Sequence, residues 1–172
     1  MGTNRIVKGK IESYAYENVF SFVDNRSYVS DPRSPSSTND RTFVYDSDPL
    51  AKSLNFGDFP YIIIDLPRLE QNSPSSDVKH INTEWSLVIT VRSAKDGASN
   101  GSTSLGKNDI LTIGDDLNDL FDQRARQQEF QDLNMYNINL VKESTDTLFI
   151  QDKPVYEATY TLTFRTRLEV SD

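Results

Sequence analysis

The last stretch of the chain constrains the fold most. Tyr156, Ala158, Tyr160, Leu162, Phe164 and Leu168 fall on one side of an extended segment. Glu157, Thr159, Thr161, Thr163, Arg165, Arg167 and Glu169 fall on the other. A two-residue period of this kind marks a strand with one face on a core and one face toward water, as antiparallel sheets allow. A second run repeats it, with Trp85, Leu87, Ile89 and Val91 set against Glu84, Ser86, Thr90 and Arg92. Tyr136, Ile138 and Leu140 start a third, and Asp152-Lys153-Pro154 supplies a turn. A hairpin between residues 136–150 and the last strand is therefore expected. Tyr61-Ile62-Ile63-Ile64-Asp65-Leu66 suits a strand buried on both faces or one at a sheet rim.

Two segments carry the other period. Over residues 5–24, Val7, Ile11, Tyr14, Ala15, Val19 and Phe22 recur at helical spacing, with Thr3 or Asn4 as cap. Over residues 109–130, Ile110, Ile113, Leu117, Leu120 and Phe121 form an apolar side. Asn108 or Asp109 is the expected cap, and acids crowd the first turns. Between these elements lie polar connections. Residues 25–59 are a long loop or insertion with a short strand at Arg41–Tyr45. Residues 67–79 read as a Pro/Ser loop, and residues 93–108 as a flexible Gly/Ser loop. Six of the seven prolines fall between Pro32 and Pro74. A long loop is either a binding insertion or a mobile one. The expected fold is a single α+β domain over residues 1–172. It has a mainly antiparallel sheet of four or five strands, two helices on one face and long polar loops.

Composition narrows the chemistry. There is no cysteine, so disulfides, thiol nucleophiles and Cys-based zinc sites are excluded. One histidine, His80, excludes sites needing two imidazoles. With 18 basic and 26 acidic residues the net charge is -8, against a phosphate-gripping surface. No stretch approaches about 18 apolar residues, and no signal-like run opens the chain, so a soluble, non-secreted protein is expected. Without a secretion signal, the glycosylation patterns at Asn25 and Asn100 carry no weight. The acidity is uneven. Residues 109–132 hold seven acids and two bases, which is -5 of the -8.

Each candidate chemistry has a plainer reading beside it. Gly101-Ser102-Thr103-Ser104-Leu105-Gly106-Lys107 matches a phosphate-loop pattern, with Lys107 and a strand-ending Asp65 in the expected roles. The next position is Asn108, where magnesium binding needs Ser or Thr. The loop also starts about nine residues after Val91, and the alternating strand–helix units of a parallel sheet are missing. Asp115, Asp119 and Asp122 share a helix face and could hold a hard cation, but acids there also complement the helix dipole. Asp65 and Glu84 have a tolerable spacing for a nuclease, yet Ser86 stands where a lysine is required. His80 has no serine or acid tied to it by spacing, so no Ser-His-Asp site can be argued. Trp85, Tyr156 and Tyr160 could stack on bases or sugars, but beside Leu and Phe they read as core. No catalytic residue, cofactor or metal is expected.

The order of elements resembles the tail terminator (tail-completion) proteins of long-tailed phages. The stretches that carry the resemblance are Ile6–Phe22, Phe59–Ile64, Trp85–Val91, Asp115–Phe121 and the final strand Tyr156–Arg167. It implies a structural, non-enzymatic virion protein, assembled in the host cytoplasm and located in the tail or neck. Such a protein forms an oligomeric ring, usually a hexamer, that caps the tail tube and joins it to the head–tail connector. Genomic DNA passes through the centre without specific binding. Under this reading Glu157, Thr159, Thr161, Thr163 and Arg165, with Asp115, Asp119 and Asp122, are candidate contact residues. A head-completion or tube-like subunit, and a nucleotide-binding protein using Lys107 and Asp65, are the alternatives.

Overall fold

The computed structural model describes residues 6–7, 10–24, 43–46, 59–74, 80–94, 106–150 and 152–171. Its elements are, in order, β1 (Ile6–Val7), α1 (Ile11–Asp24), β2 (Phe43–Tyr45), β3 (Tyr61–Ile64) and β4 (Arg68–Pro74). Then follow β5 (His80–Ala94), α2 (Lys107–Leu120), α3 (Gln127–Asp132), β6 (Met135–Ile150) and β7 (Lys153–Ser171).

The fold is α+β. The long alternating segments form its centre. β5 and β7 are antiparallel and in register from His80↔Glu169 to Ala94↔Val155. β6 pairs antiparallel with β7 on the other edge, completing the expected hairpin, with Asp152 at positive φ (61°) in the turn. Lys153 and Pro154, expected in that turn, are instead the first residues of β7. The free edge of β5 carries β4 along its first half and β3 along its second.

The sheet is mainly antiparallel, as expected, but the expected count of four or five strands is corrected. Among the described residues the sheet has seven strands and is mixed, because β2 runs parallel to β3 and β1 runs parallel to the end of β7. The Pro/Ser loop expected at 67–79 is in part β4. Its sequence does not alternate, and it is extended because it borrows ladder hydrogen bonds from β5, with a bulge between Leu69 and Gln71. A short polar edge strand ending in proline is a tolerated arrangement. Of the flexible loop expected at 93–108, the first two residues belong to β5 and the last two to α2. Residues 95–105 lie outside the described residues, as does most of the long loop 25–59.

The helices also depart from the periodicity. The first begins at Ile11, not residue 5, and Val7 pairs with Ser171 instead of extending the helical stripe. The expected caps Thr3 and Asn4 lie outside the described residues. The helix expected over 109–130 is two helices separated by a turn at 121–126. The break has a packing reason. Phe121 and Phe130 are nine residues apart, two and a half turns of a continuous helix, and would point in opposite directions. With the turn, both reach the core and stack on each other, with ring centres 6.3 Å apart and 12° between planes. The Asp122 carboxylate accepts the Arg124 backbone N–H at 3.0 Å and closes the turn.

Two apolar clusters sit on opposite sides of the sheet. The larger joins Ala15, Val19, Phe22 and Val23 of α1 to Ile110, Ile113 and Leu117 of α2. Trp85, Leu87, Ile89 and Val91 of β5 and Ala158, Tyr160, Leu162 and Phe164 of β7 complete it. The smaller contains Phe59, Tyr61, Ile63, Ala94 and Val155, with Tyr45, Leu148 and Ile150 packed against it. β3 contributes alternate residues to each, so all four of its side chains are buried. Trp85, Tyr156 and Tyr160 belong to the larger cluster or pack against it, as the core reading expects.

Candidate interaction surface

The helix residues in the apolar clusters all belong to one side of the sheet. The other side is a polar surface built by β5, β7 and β6. Cross-strand neighbours there are Glu84↔Arg165, Ser86↔Thr163, Val88↔Thr161, Thr90↔Thr159 and Arg92↔Glu157. β6 continues the rows with Asn139 beside Thr163 and Val141 beside Thr161. Two ion pairs cross this surface. Arg165 reaches the Glu84 carboxylate at 3.1 Å, and Arg92 reaches Glu157 at 2.6 Å. Arg92 also donates to the Tyr61 hydroxyl at 3.5 Å, where the polar surface meets the smaller apolar cluster. The Arg92–Glu157 pair is the better protected, its side chains 14% and 15% exposed. A pair so shielded keeps more of its Coulomb attraction than a fully exposed one.

The structure thus brings Glu157, Thr159, Thr161, Thr163 and Arg165 onto one face. Thr159, Thr161 and Thr163 are half-buried by their strand neighbours, and Arg165 is exposed. The acids lie elsewhere. Asp115 and Asp119 are exposed on α2, while Asp122 is past its end and does not share the helix face expected for it. Among the described residues no group of three or more acids or histidines is arranged to hold a metal.

Asp116, half-buried between these acids, has its carboxyl pKa raised, first by burial and then by the Asp115 and Asp119 charges. A folded pKa above the unfolded value means that the ionised form is disfavoured by folding. The stabilising contribution is present below the unfolded value of 3.8 and is lost as pH rises through the folded pKa. Asp116→Asn is therefore expected to raise the thermal midpoint at pH 7 and to leave it unchanged near pH 3. Thermal unfolding at the two pH values checks this, and an equal shift at both would refute it.

The phosphate-loop residues 101–105 lie outside the described residues. Gly106 precedes α2 with φ 59°, and the Lys107 ammonium lies 5.3 Å from the centre of the Tyr156 ring. α2 leads into an antiparallel hairpin, not a parallel strand, so the topology gives the loop reading no support. Asp65 is exposed at the end of β3, and its backbone N–H donates to the Val88 carbonyl at 3.0 Å. Glu84, the nuclease candidate, is held by Arg165. His80 opens β5 beside Glu169 and lines a cleft of about 370 Å³ with Tyr136 and Arg167.

Sequence reasoning missed the buried polar links. The expected caps of α2, Asn108 or Asp109, lie inside the helix, whose N-cap is Gly106. Asp109 is instead 3% exposed and accepts a hydrogen bond from the Ser93 hydroxyl at 2.8 Å, tying the end of β5 to the start of α2. The Trp85 indole N–H donates to the Thr166 hydroxyl at 3.0 Å. Thr166 interrupts an otherwise apolar series, and that interruption was the available signal. No protein-family model matches the chain, and no curated protein matches it at a significant level.

Proposed function

We propose that this chain is a structural assembly subunit, a tail terminator that forms a ring on the end of a phage tail tube. The ring joins the tube to the head-proximal connector and lets DNA pass through its centre. The observation that carries this reading is the broad polar face of β5, β7 and β6, crossed by the ion pairs Arg92–Glu157 and Glu84–Arg165. A hydroxyl-rich sheet face suits contact with another protein better than the chemistry of a small substrate. β6 adds a long edge, because among the described residues its only strand partner is β7. Unpaired edges favour pairing with another chain unless they are protected. The acidic segment 109–132 would give a ring one negative zone, which repels a passing polyanion and prevents it from sticking.

Light scattering on the purified chain, alone and mixed with a tail-tube protein, tests the reading. The expected result is a defined oligomer, with a ring and central hole in negative-stain images. A strict monomer under every condition, including with tube protein, overturns it.

A further inference from the structure

A groove of about 300 Å³ runs between the first turns of α2 and the strand β6, lined by Ile110, Leu111, Thr145, Thr147 and Tyr156. Lys107 and Lys142 also line it. Leu111 is 58% exposed there, and Phe149, two residues beyond Thr147 on the same side of β6, is 75% exposed. Leu111 and Phe149 place open apolar area beside the two lysines. Lys107 makes its cation–π contact with Tyr156, and among the described residues neither lysine forms an ion pair.

The far end of α2 has the opposite character. Asp115 and Asp119 are exposed, Asp116 is half-buried between them, and Asp115 and Asp119 have no ion-pair partner among the described residues. Lys107 and Asp119 are twelve residues apart on one helix, about 18 Å at 1.5 Å per residue. Lys107 and Asp119 are therefore too far apart to pair with each other within one molecule. They can do so between molecules.

We propose that the Lys107–Lys142 groove receives the acidic end of α2 from a second copy of this chain. The contact is head to tail, between two different patches, and each bound copy presents a free groove at one side and a free acidic end at the other. Repetition closes into a ring where the rotation permits. The charge complementarity sets orientation and register, while Leu111 and Phe149 supply apolar area. This inference rests on the proposal that the chain oligomerises, and it names the surfaces through which it does so.

Charge reversal on the full chain tests it. Light scattering would be run on wild type, Lys107→Glu/Lys142→Glu, Asp115→Lys/Asp119→Lys and the fourfold variant. All four would be measured at about 0.05 M and about 1 M salt, where screening differs severalfold. All four positions are exposed, and far-ultraviolet circular dichroism verifies folding. The expected result is that each double variant associates at least about tenfold more weakly than wild type. The fourfold variant regains association, and salt weakens both wild type and the fourfold variant. Wild-type-like assembly of the double variants overturns this interface but leaves the ring standing, as does a fourfold variant that does not recover. A wild type that never associates overturns both.

Discussion

Phe130→Ala is expected to lower stability by about 3–5 kcal/mol, the range for removing a large aromatic side chain from a core. Phe130 is 1% exposed and is the buried residue of α3, a helix of six residues. So short a helix has little stability of its own and holds its shape through packing. The ring lies 5.0 Å from that of Phe22 on α1 and 6.3 Å from that of Phe121 at the end of α2. Truncation therefore opens a cavity where three helices meet, and it frees the turn that leads into β6. For a domain of this size a loss of 1 kcal/mol lowers the thermal midpoint by about 2–4 °C, so a fall of roughly 6–20 °C is expected. Thermal unfolding followed by circular dichroism measures it. A shift below about 2 °C would mean that the ring does not fasten α3.

Gly114→Ala carries the second large effect, and its sign is the informative part. In an exposed helix interior, Gly to Ala stabilises by about 1 kcal/mol. Gly114 lies in α2 directly over β7, where an added Cβ would stand closer than 3.0 Å to the Tyr160 hydroxyl oxygen. Tyr160 is 1% exposed, so its phenol has no room to swing aside. Overpacking of this kind costs about 1–3 kcal/mol, and net destabilisation is expected. Tyr160→Phe removes the offending oxygen, and the next atom, Cζ, is at 3.5 Å, an ordinary contact. In that background Gly114→Ala should stabilise, so the same substitution changes sign between the two hosts. Urea unfolding of the four proteins in the cycle checks this. Additive effects would show that the close approach of α2 to β7 does not constrain position 114.

The burial that rejects a methyl group at Gly114 also acts on the phenol. The Tyr160 pKa is raised, first by burial and then by the Asp115 charge. Helix and strand are thus fitted to each other by one glycine and one tyrosine in the middle of the core. Neither residue is unusual when its own segment is read alone.

Strands were legible where their faces differ, as in β5 and β7, or where the whole run is apolar, as in β3. β5 and β7 alternate because the core lies on one side and the Thr-rich surface on the other. The strand β4 was not legible, because its extended form comes from hydrogen bonds to β5 and leaves no pattern in its own side chains. The turn inside residues 109–130 was hidden for a related reason. Each half keeps a helical period, and only the need of Phe121 and Phe130 to face the same core separates them. The candidate contact residues divide in the same way. The face shared by Glu157, Thr159, Thr161, Thr163 and Arg165 follows from alternation alone. Their neighbours Glu84 and Arg92 are set by strand register, which a single segment does not reveal.

By itself, then, the sequence determined that a long two-faced sheet would be covered by amphipathic helices, and that the acidity would gather in residues 109–132. Hydrophobic period and local charge are properties of neighbours along the chain, and no partner is needed to read them. Only the tertiary structure decided that Arg92 meets Glu157 and Glu84 meets Arg165 across the polar face. Only it decided that Asp109 turns inward to Ser93, and that two lysines distant in sequence flank an open groove beside the first turns of α2. These depend on distances between residues far apart in the chain, which pairing and packing fix and composition does not.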